Sequence, residues 1–393
     1  PAYAALGQEL HDAGLTYCNN ATPTGVVMPD GQALVLGTSR QENIARFEAL
    51  CPGAGALFEY AMQDVEHNAE LIFSLLGNEL WRWSTAKTLG KHAWRLGASG
   101  TTGFIGQAME PARAWLQTLD ALGPRASPLS ALLAPWVLHT GLGPDAPLSA
   151  LMNKVVAYTL EAVGLPLVRG GNAQTVEAFA KLIRQHGGQL RCNAHVEKIL
   201  VEGGIARGVR LASGETLLSE HVACSVTPAQ LYQQLLPASA VPDSVRQQAQ
   251  QFRHGKGNMQ IHLALSAAPR WKGPAELGET IYVHLTAGAQ AISAAVNQAE
   301  NGLLPAVPTV CVAQPTAVDA SRAPEGHHIL WVQVPECPRQ IAGDAAGQID
   351  IPADGQWNIK VREAFADRVM ALVNGGGYAT HTLAEHGACL PVP

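Results

Sequence analysis

The chain has 393 residues, of which 47% are hydrophobic and 15% charged, with 39 glycines and 25 prolines. This composition supplies a large core and excludes a disordered chain, while a net charge of −6 argues against nucleic acid or an anionic membrane as the main partner. No run reaches the roughly 18 unbroken apolar residues of a membrane span. The strongest candidate, 126–138, is interrupted by Pro128 and Pro135.

Seven cysteines, at 18, 51, 192, 224, 311, 337 and 389, are odd in number and form no CxxC pair. They read as small buried hydrophobes in a reducing compartment, with neither a disulfide nor a metal framework. No secretory signal is present, so the chain is expected in the cytoplasm, or in the mitochondrial matrix of a eukaryote.

In chain order, residues 1–50 predict a helix, then a hairpin across VVMPDGQALVLG with Asp30-Gly31 at its turn, then a short helix over 43–50. Leu57, Tyr60, Ala61, Val65, Leu71, Ile72 and Leu75 recur at helical spacing through 55–76. Further helices are expected at 87–96, 108–122 and 152–163, with a loop and helix between Pro124 and Pro135. The first 165 residues are therefore mostly helical with one small hairpin.

The stretch 166–237 is the best organised. Gly170-Gly171 follows a short apolar run, and a helix then carries Val176, Phe179, Ala180 and Ile183 on one face. Gly187-Gly188 ends that helix. Three strands are expected at about 191–201, 205–211 and 216–226, joined by tight turns at Gly203-Gly204 and Ser213-Gly214. Thr227-Pro228 then opens a helix, with a cap residue followed by proline in the first turn.

After Pro237 the period changes to two. Met259, Ile261, Leu263 and Leu265 alternate with Gln260, His262 and Ala264, and Ile281, Val283 and Leu285 alternate likewise. Val310 and Val312 mark a further strand. Leu330, Val332 and Val334 mark another, with Ile329, Trp331 and Gln333 opposite. Helices are expected at 289–301 and at 357–373, the latter with Trp357, Val361, Phe365, Val369 and Leu372 along one face. The sum is a mixed sheet with helices over it.

The run from Gly170-Gly171 through NAHVEKILVEGGIARGVRLASGE to VACSVTP resembles the flavin-dependent oxidoreductases of the phytoene-desaturase/amine-oxidase superfamily. It is similar in particular to the phytoene-dehydrogenase-like branch that includes the pyridine nucleotide-disulphide oxidoreductase domain-containing proteins. WVLHTGLGPDAPLS (136–149), residues 304–336 and residues 357–373 resemble the same branch, so the similarity extends over about 1–375. It implies a mixed α/β fold of the FAD/NAD(P)-binding kind, intertwined with a substrate domain. Residues 1–165 and 238–375 would belong to the substrate domain and 166–237 to the FAD-binding domain, leaving 376–393 unassigned.

The family's dinucleotide-binding βαβ unit and its flavin-returning C-terminal segment have no counterpart here. The expectation is an internal fragment, a processed product or an incompletely assigned sequence.

The resemblance implies FAD as cofactor and hydride transfer from an apolar or amphipathic substrate to flavin N5. It allows peripheral membrane contact and a homo-oligomer. The alternative reading is a non-catalytic scaffold that keeps part of the flavoenzyme fold. By the same resemblance the main chain at Val196 and Glu197 would lie along the adenine. Thr227 and Pro228 would lie near the phosphate and ribitol, and Gly170-Gly171 would allow close backbone approach. His139, His262 and Lys256 are the candidates for a flavin-side cavity.

Gly141-x-Gly143-x-x-Ala146, with Glu161 further on, mimics a dinucleotide fingerprint. Pro144 removes an amide the fingerprint needs and Pro147 follows, so the stretch reads as a turn. HExxH, G-x-S-x-G and Walker A motifs are absent, and dispersed acidic residues give no support to carboxylate-pair hydrolysis.

Overall fold

Strand alternation in the last third of the chain and the early hairpin build one sheet. The computed structural model describes residues 2–79, 81–375 and 379–381. Its principal strands are β1 (Thr24–Val27), β2 (Ala33–Leu36), β3 (Val196–Glu202), β4 (Ile205–Leu211), β5 (Thr216–Leu218), β6 (Gly257–Leu265), β7 (Tyr282–Leu285), β8 (Val310–Ala313) and β9 (His328–Cys337). Six of them form a sheet in the order β2-β1-β7-β8-β9-β6. β1 runs parallel to β7, and the other neighbours are antiparallel.

The hairpin expected near Asp30-Gly31 forms: the Asp30 carboxylate accepts the Gln32 amide at 2.9 Å, and Gly31 takes φ 84°. Its pairing with the distant β7 was not legible locally, because register between remote strands leaves no periodic trace.

One face of this sheet carries Ile261, Leu263, Leu265, Val283, Leu285, Val310, Val312, Leu330, Val332 and Val334. A late helix, Ile359–Gly375, covers it with Val361, Phe365, Val369 and Val373. Leu372, expected on that face, packs there half-buried, and Val373 beside it is fully buried. Trp357 lies before the helix begins; its indole donates to the Pro338 carbonyl at 2.8 Å and its ring meets Phe365 edge-on.

The opposite face is covered at β2, β1, β7 and β8 by a helical layer. This layer contains α1 (Arg40–Leu50), α2 (Ala54–His67), α3 (Ala69–Gly77), α4 (Trp83–Ala108), α5 (Ala112–Asp120), α6 (Ser127–Leu133) and α7 (Ser149–Val163). Phe47, Phe58, Met62, Leu116, Leu119 and Leu129 are among its fully buried side chains. A buried carboxylate ties three of these helices together. Glu161 accepts from Arg40 at 2.5 Å and from Asn43 at 3.3 Å, and Arg40 also reaches Glu66.

Several predicted boundaries shift for identifiable reasons. The pattern at 55–76 is two helices, broken at Asn68, whose side chain turns back to the Asp64 carbonyl. The helix expected at 87–96 runs through 83–108, kinked where Gly97 takes φ 67°. Pro111, rather than residue 108, starts the next helix as its N-cap. The turn reading of 141–146 holds: Gly141 ends a 3-10 segment (Ala134–Thr140) at φ 79°, and a Cβ on Gly143 would sit 2.8 Å from Val296.

By contact the chain divides into two compact units, 1–178 with 256–393, and 179–255. The smaller contains the meander β3-β4-β5 and a helix, Asp243–Gln251. Both glycines of the 203–204 turn have positive φ, as a two-residue hairpin requires. The first strand begins at Val196 rather than 191, because Asn193 sits at φ 56°, outside extended conformation. The third ends at Leu218 rather than 226, where the Ser219 hydroxyl turns to the His221 carbonyl.

The helix Ala173–Gln185, which spans the boundary between the units, buries Ala178, Ala180 and Leu182. The predicted apolar positions Val176, Phe179 and Ile183 are instead exposed, Val176 by 68%. No helix among the described residues is long and apolar enough to cross a membrane.

The two apolar faces should respond differently to truncation. Phe365→Ala, at a fully buried position, is expected to cost about 3–5 kcal/mol in urea unfolding. Val176→Ala should change stability by less than about 0.5 kcal/mol.

Candidate functional site

The face of the sheet opposite the late helix is set by parity. β7 pairs Tyr282 with Ala313 and His284 with Cys311 on β8, while β9 sets Trp331 beside Ala313 and Gln333 beside Cys311. β6 continues both rows, with His262 opposite Trp331 and Gln260 opposite Gln333. Because side chains two apart share a face, the result is two adjacent rows: Tyr282, Ala313, Trp331, His262 and His284, Cys311, Gln333, Gln260. The rows are fully buried at β7 and β8, half-buried at β9 and exposed at β6.

The closed end of these rows is roofed by the 3-10 segment 134–140, which brings Trp136 and His139 down onto the sheet. The rings of Trp136, His139, Tyr282 and His284 lie with centroids 4.7–5.7 Å apart. The two histidines meet at 3.1 Å through their Nε2 atoms, so one donates and the other accepts. Tyr282 donates its hydroxyl to Gln333 at 2.7 Å, linking the closed end to the open rows.

Burial governs the charge state of this cluster. It disfavours the imidazolium of His139, lowering the pKa to about 4 although the outer side of that residue reaches the surface. His284 is fully buried and is held well below the ordinary histidine value, first by desolvation and then by His139. Burial also raises Tyr282 and Cys311, so the cluster is neutral at pH 7. The Nδ1 of His284 and the indole nitrogens of Trp136 and Trp331 are buried without a hydrogen-bond partner among the described residues.

The structure brings together only some of the residues singled out in the sequence. His139 belongs to the ring cluster. His262 lies on the open end of the rows, three strand spacings from Tyr282, or roughly 14 Å. Lys256, just before β6, points to Glu300 in a 2.7 Å ion pair and is not in the rows.

Gly170 and Gly171 form a left-handed turn at φ 75° and 98° whose amides are already used, by Asp319 at 2.7 Å and by the Val168 carbonyl. Burial would raise the Asp319 pKa, but Ser321, the Gly170 amide and Arg322 outweigh it and bring it to about 2.

In the smaller unit, Val196 opens edge strand β3, with a bulge at Glu197, whose carboxylate meets Arg210. Thr227 and Gln230 cap each other reciprocally ahead of Pro228, taking up the donors of that helix start.

Tyr282, His284, Cys311 and Gln333 were missed. Their signal was present in the alternation itself, since a strand reading Ile-Tyr-Val-His-Leu has a second face that the apolar positions do not describe.

No family model matches the chain. It is 27% identical over 198 residues to the zeta-carotene-forming phytoene desaturase of Myxococcus xanthus, a span of 50% of this chain and 36% of that protein. It is 40% identical over 85 residues to a neurosporene-forming phytoene desaturase of Cereibacter sphaeroides, covering 22% of this chain and 16% of the relative. The chain is a relative of the phytoene desaturases.

A longer match, 24% identical over 269 residues, joins this phytoene desaturase relative to the mouse pyridine nucleotide-disulfide oxidoreductase domain-containing protein 2, covering 66% of the chain and 42% of that protein. The chain spans well under two thirds of the length of these curated relatives. In fold it matches an oxidoreductase from Methanosarcina mazei, at TM-score 0.53 and 14% identity over 96% of this chain and 71% of the other. A fatty acid isomerase from P. acnes gives TM-score 0.51 at 13% identity over 98% and 71%.

The histidine pair predicts an acid sensitivity of known sign. Each folded-state pKa is depressed, so below about 6.5 the unfolded chain takes up protons that the folded chain refuses. Stability should fall as pH drops from about 6.5 towards 4. In His139→Gln/His284→Gln this slope, read from urea midpoints across that window, should flatten whatever the variant's absolute stability.

Proposed function

We propose that this chain forms the substrate-binding part of an FAD-dependent oxidoreductase of the dehydrogenase or desaturase type, acting on a long apolar or amphipathic organic molecule. The observation that carries the reading is the two-row sheet face, which grades from a neutral, buried ring cluster to an open floor of Trp331, Gln333, Gln260 and His262. It is supported by relatives named as phytoene desaturases. A face of aromatic and amide groups, with no ion pair across its rows among the described residues, favours a substrate without charge.

Bound FAD would supply a hydride acceptor at N5. The residues present fit its adenine end. Among the described residues only β4 pairs with strand β3, and the main chain at Val196 and Glu197 on its outer edge can offer hydrogen bonds to a base. In the same unit Thr227 has its donors engaged and Pro228 has none, so their part would be to shape backbone near the group rather than to donate to it; the amides of Gly170 and Gly171, in the larger unit, are likewise engaged. Trp331, half-buried at the open end of the rows, can press against an apolar chain.

A substrate of this kind resides in lipid, and one surface fits that source. Trp81, Trp83 and Trp94 are 97%, 84% and 91% exposed around the start of α4, interleaved with Arg82, Lys87, Lys91 and Arg95. Exposed indoles beside cationic side chains match the interfacial zone of a bilayer. We propose peripheral docking of this surface on membrane. The six described cysteines are all free, which fits a reducing compartment such as the cytoplasm or mitochondrial matrix.

Two measurements test the reading on the full-length protein. Anaerobic addition of phytoene in liposomes should bleach the flavin absorbance, and Trp331→Ala should raise the half-saturating substrate concentration about tenfold or more, the loss expected for one aromatic contact. A flavin-loaded protein that no apolar polyene bleaches would overturn the substrate class. Cosedimentation with vesicles should be lost in Trp81→Ala/Trp83→Ala/Trp94→Ala; unchanged binding would overturn the docking surface.

A further inference from the structure

Cys311 and the unpartnered nitrogen of His284 have no role in the reading above. His284 and Cys311 are direct cross-strand partners on β7 and β8, both fully buried, and His139 descends on them from the 3-10 segment. One ring nitrogen from each histidine and the Cys311 sulfur lie within 4.8 Å of one another. We propose that His139, His284 and Cys311 bind a zinc-class divalent metal ion.

Distances favour the assignment. Zinc–nitrogen bonds of about 2.0–2.1 Å in tetrahedral geometry put two ligand nitrogens roughly 3.3 Å apart, and the two Nε2 atoms stand at 3.1 Å. A nitrogen–sulfur edge in such a site is roughly 3.6 Å, which small rotations of the Cys311 and histidine side chains would reach from 4.8 Å. The sheet register fixes two of the three ligands before any ion arrives, so little ordering cost accompanies binding.

Chemistry agrees with geometry. Neutral imidazoles are the ligating form, and both histidines are held in it. The Nε2 of His284 that meets His139 is the ligating nitrogen, and its Nδ1 has no hydrogen-bond partner among the described residues to fix the ring in another orientation. Glu336 is fully buried, has one carboxylate oxygen without a partner, and is close enough to act electrostatically on Cys311. A cation at the cluster would turn that repulsion into attraction. Binding converts the Cys311 thiol to a thiolate and releases its proton to solvent. The cysteine and histidine spacing gave no hint of such a site, because its ligands come from three elements remote in sequence.

The test uses the 393-residue chain with exposed Cys192 and Cys224 replaced by serine, and does not depend on flavin. Elemental analysis after purification with zinc should find about one zinc per chain. Cobalt substitution should give a thiolate-to-cobalt charge-transfer band. Cys311→Ser should abolish that band and weaken zinc binding by about 100-fold or more, a loss at least as large as second-shell changes produce. His139→Gln, at the surface side of the site, should keep the band and weaken binding, and it carries the test if Cys311→Ser does not fold.

Circular dichroism establishes that each variant is folded. A folded chain with only trace zinc and no cobalt band would overturn the proposal, as would a band that persists in Cys311→Ser.

Discussion

The period of two along a β-strand, fixed by register across six strands, decides what every other part of this molecule can do. Because successive side chains alternate faces, Val283 and Leu285 are committed to the late helix, and Tyr282 and His284 are committed to the other side. A shift of one residue in any pairing would carry histidine into an aliphatic core and leave valine on the functional face. The core beneath, with Phe365 and Val369 fully buried, therefore holds the rows in place: its burial energy pins the register that builds them.

The roof follows from the same constraint. Once His284 and Tyr282 point away from the aliphatic core, their polar atoms need partners, and these come from His139 and Gln333. The helical layer brings the 3-10 segment into position through buried anchors. Asn153 donates to the Leu133 carbonyl, and Glu161 holds Arg40 and Asn43. Coverage stops at β8, so the rows emerge into the open at β9 and β6. A face half roofed and half open is suited to an elongated ligand that enters from one side.

Much of this was legible in the sequence, and the parts that were not share a cause. The helices, the hairpin at Asp30-Gly31, the strands at 261–265 and 330–334 and the cap at Thr227 are local, and local patterns announced them. The pairing of β1 with β7, the meeting of His139 with His284 and Cys311, and the diversion of Lys256 to Glu300 are long-range, and a single chain read in order does not show which remote elements meet. The misjudged face at Val176, Phe179 and Ile183 is a different case. The pattern was read correctly as apolar, but those side chains remain exposed among the described residues, so periodicity identified a surface without identifying what covers it.

The visible absorption spectrum of the full-length protein purified from its natural source tests the central claim most directly. The account predicts flavin bands that persist through gel filtration and are released on denaturation as FAD. A folded, full-length protein with no flavin bands, and none after incubation with FAD, would contradict it.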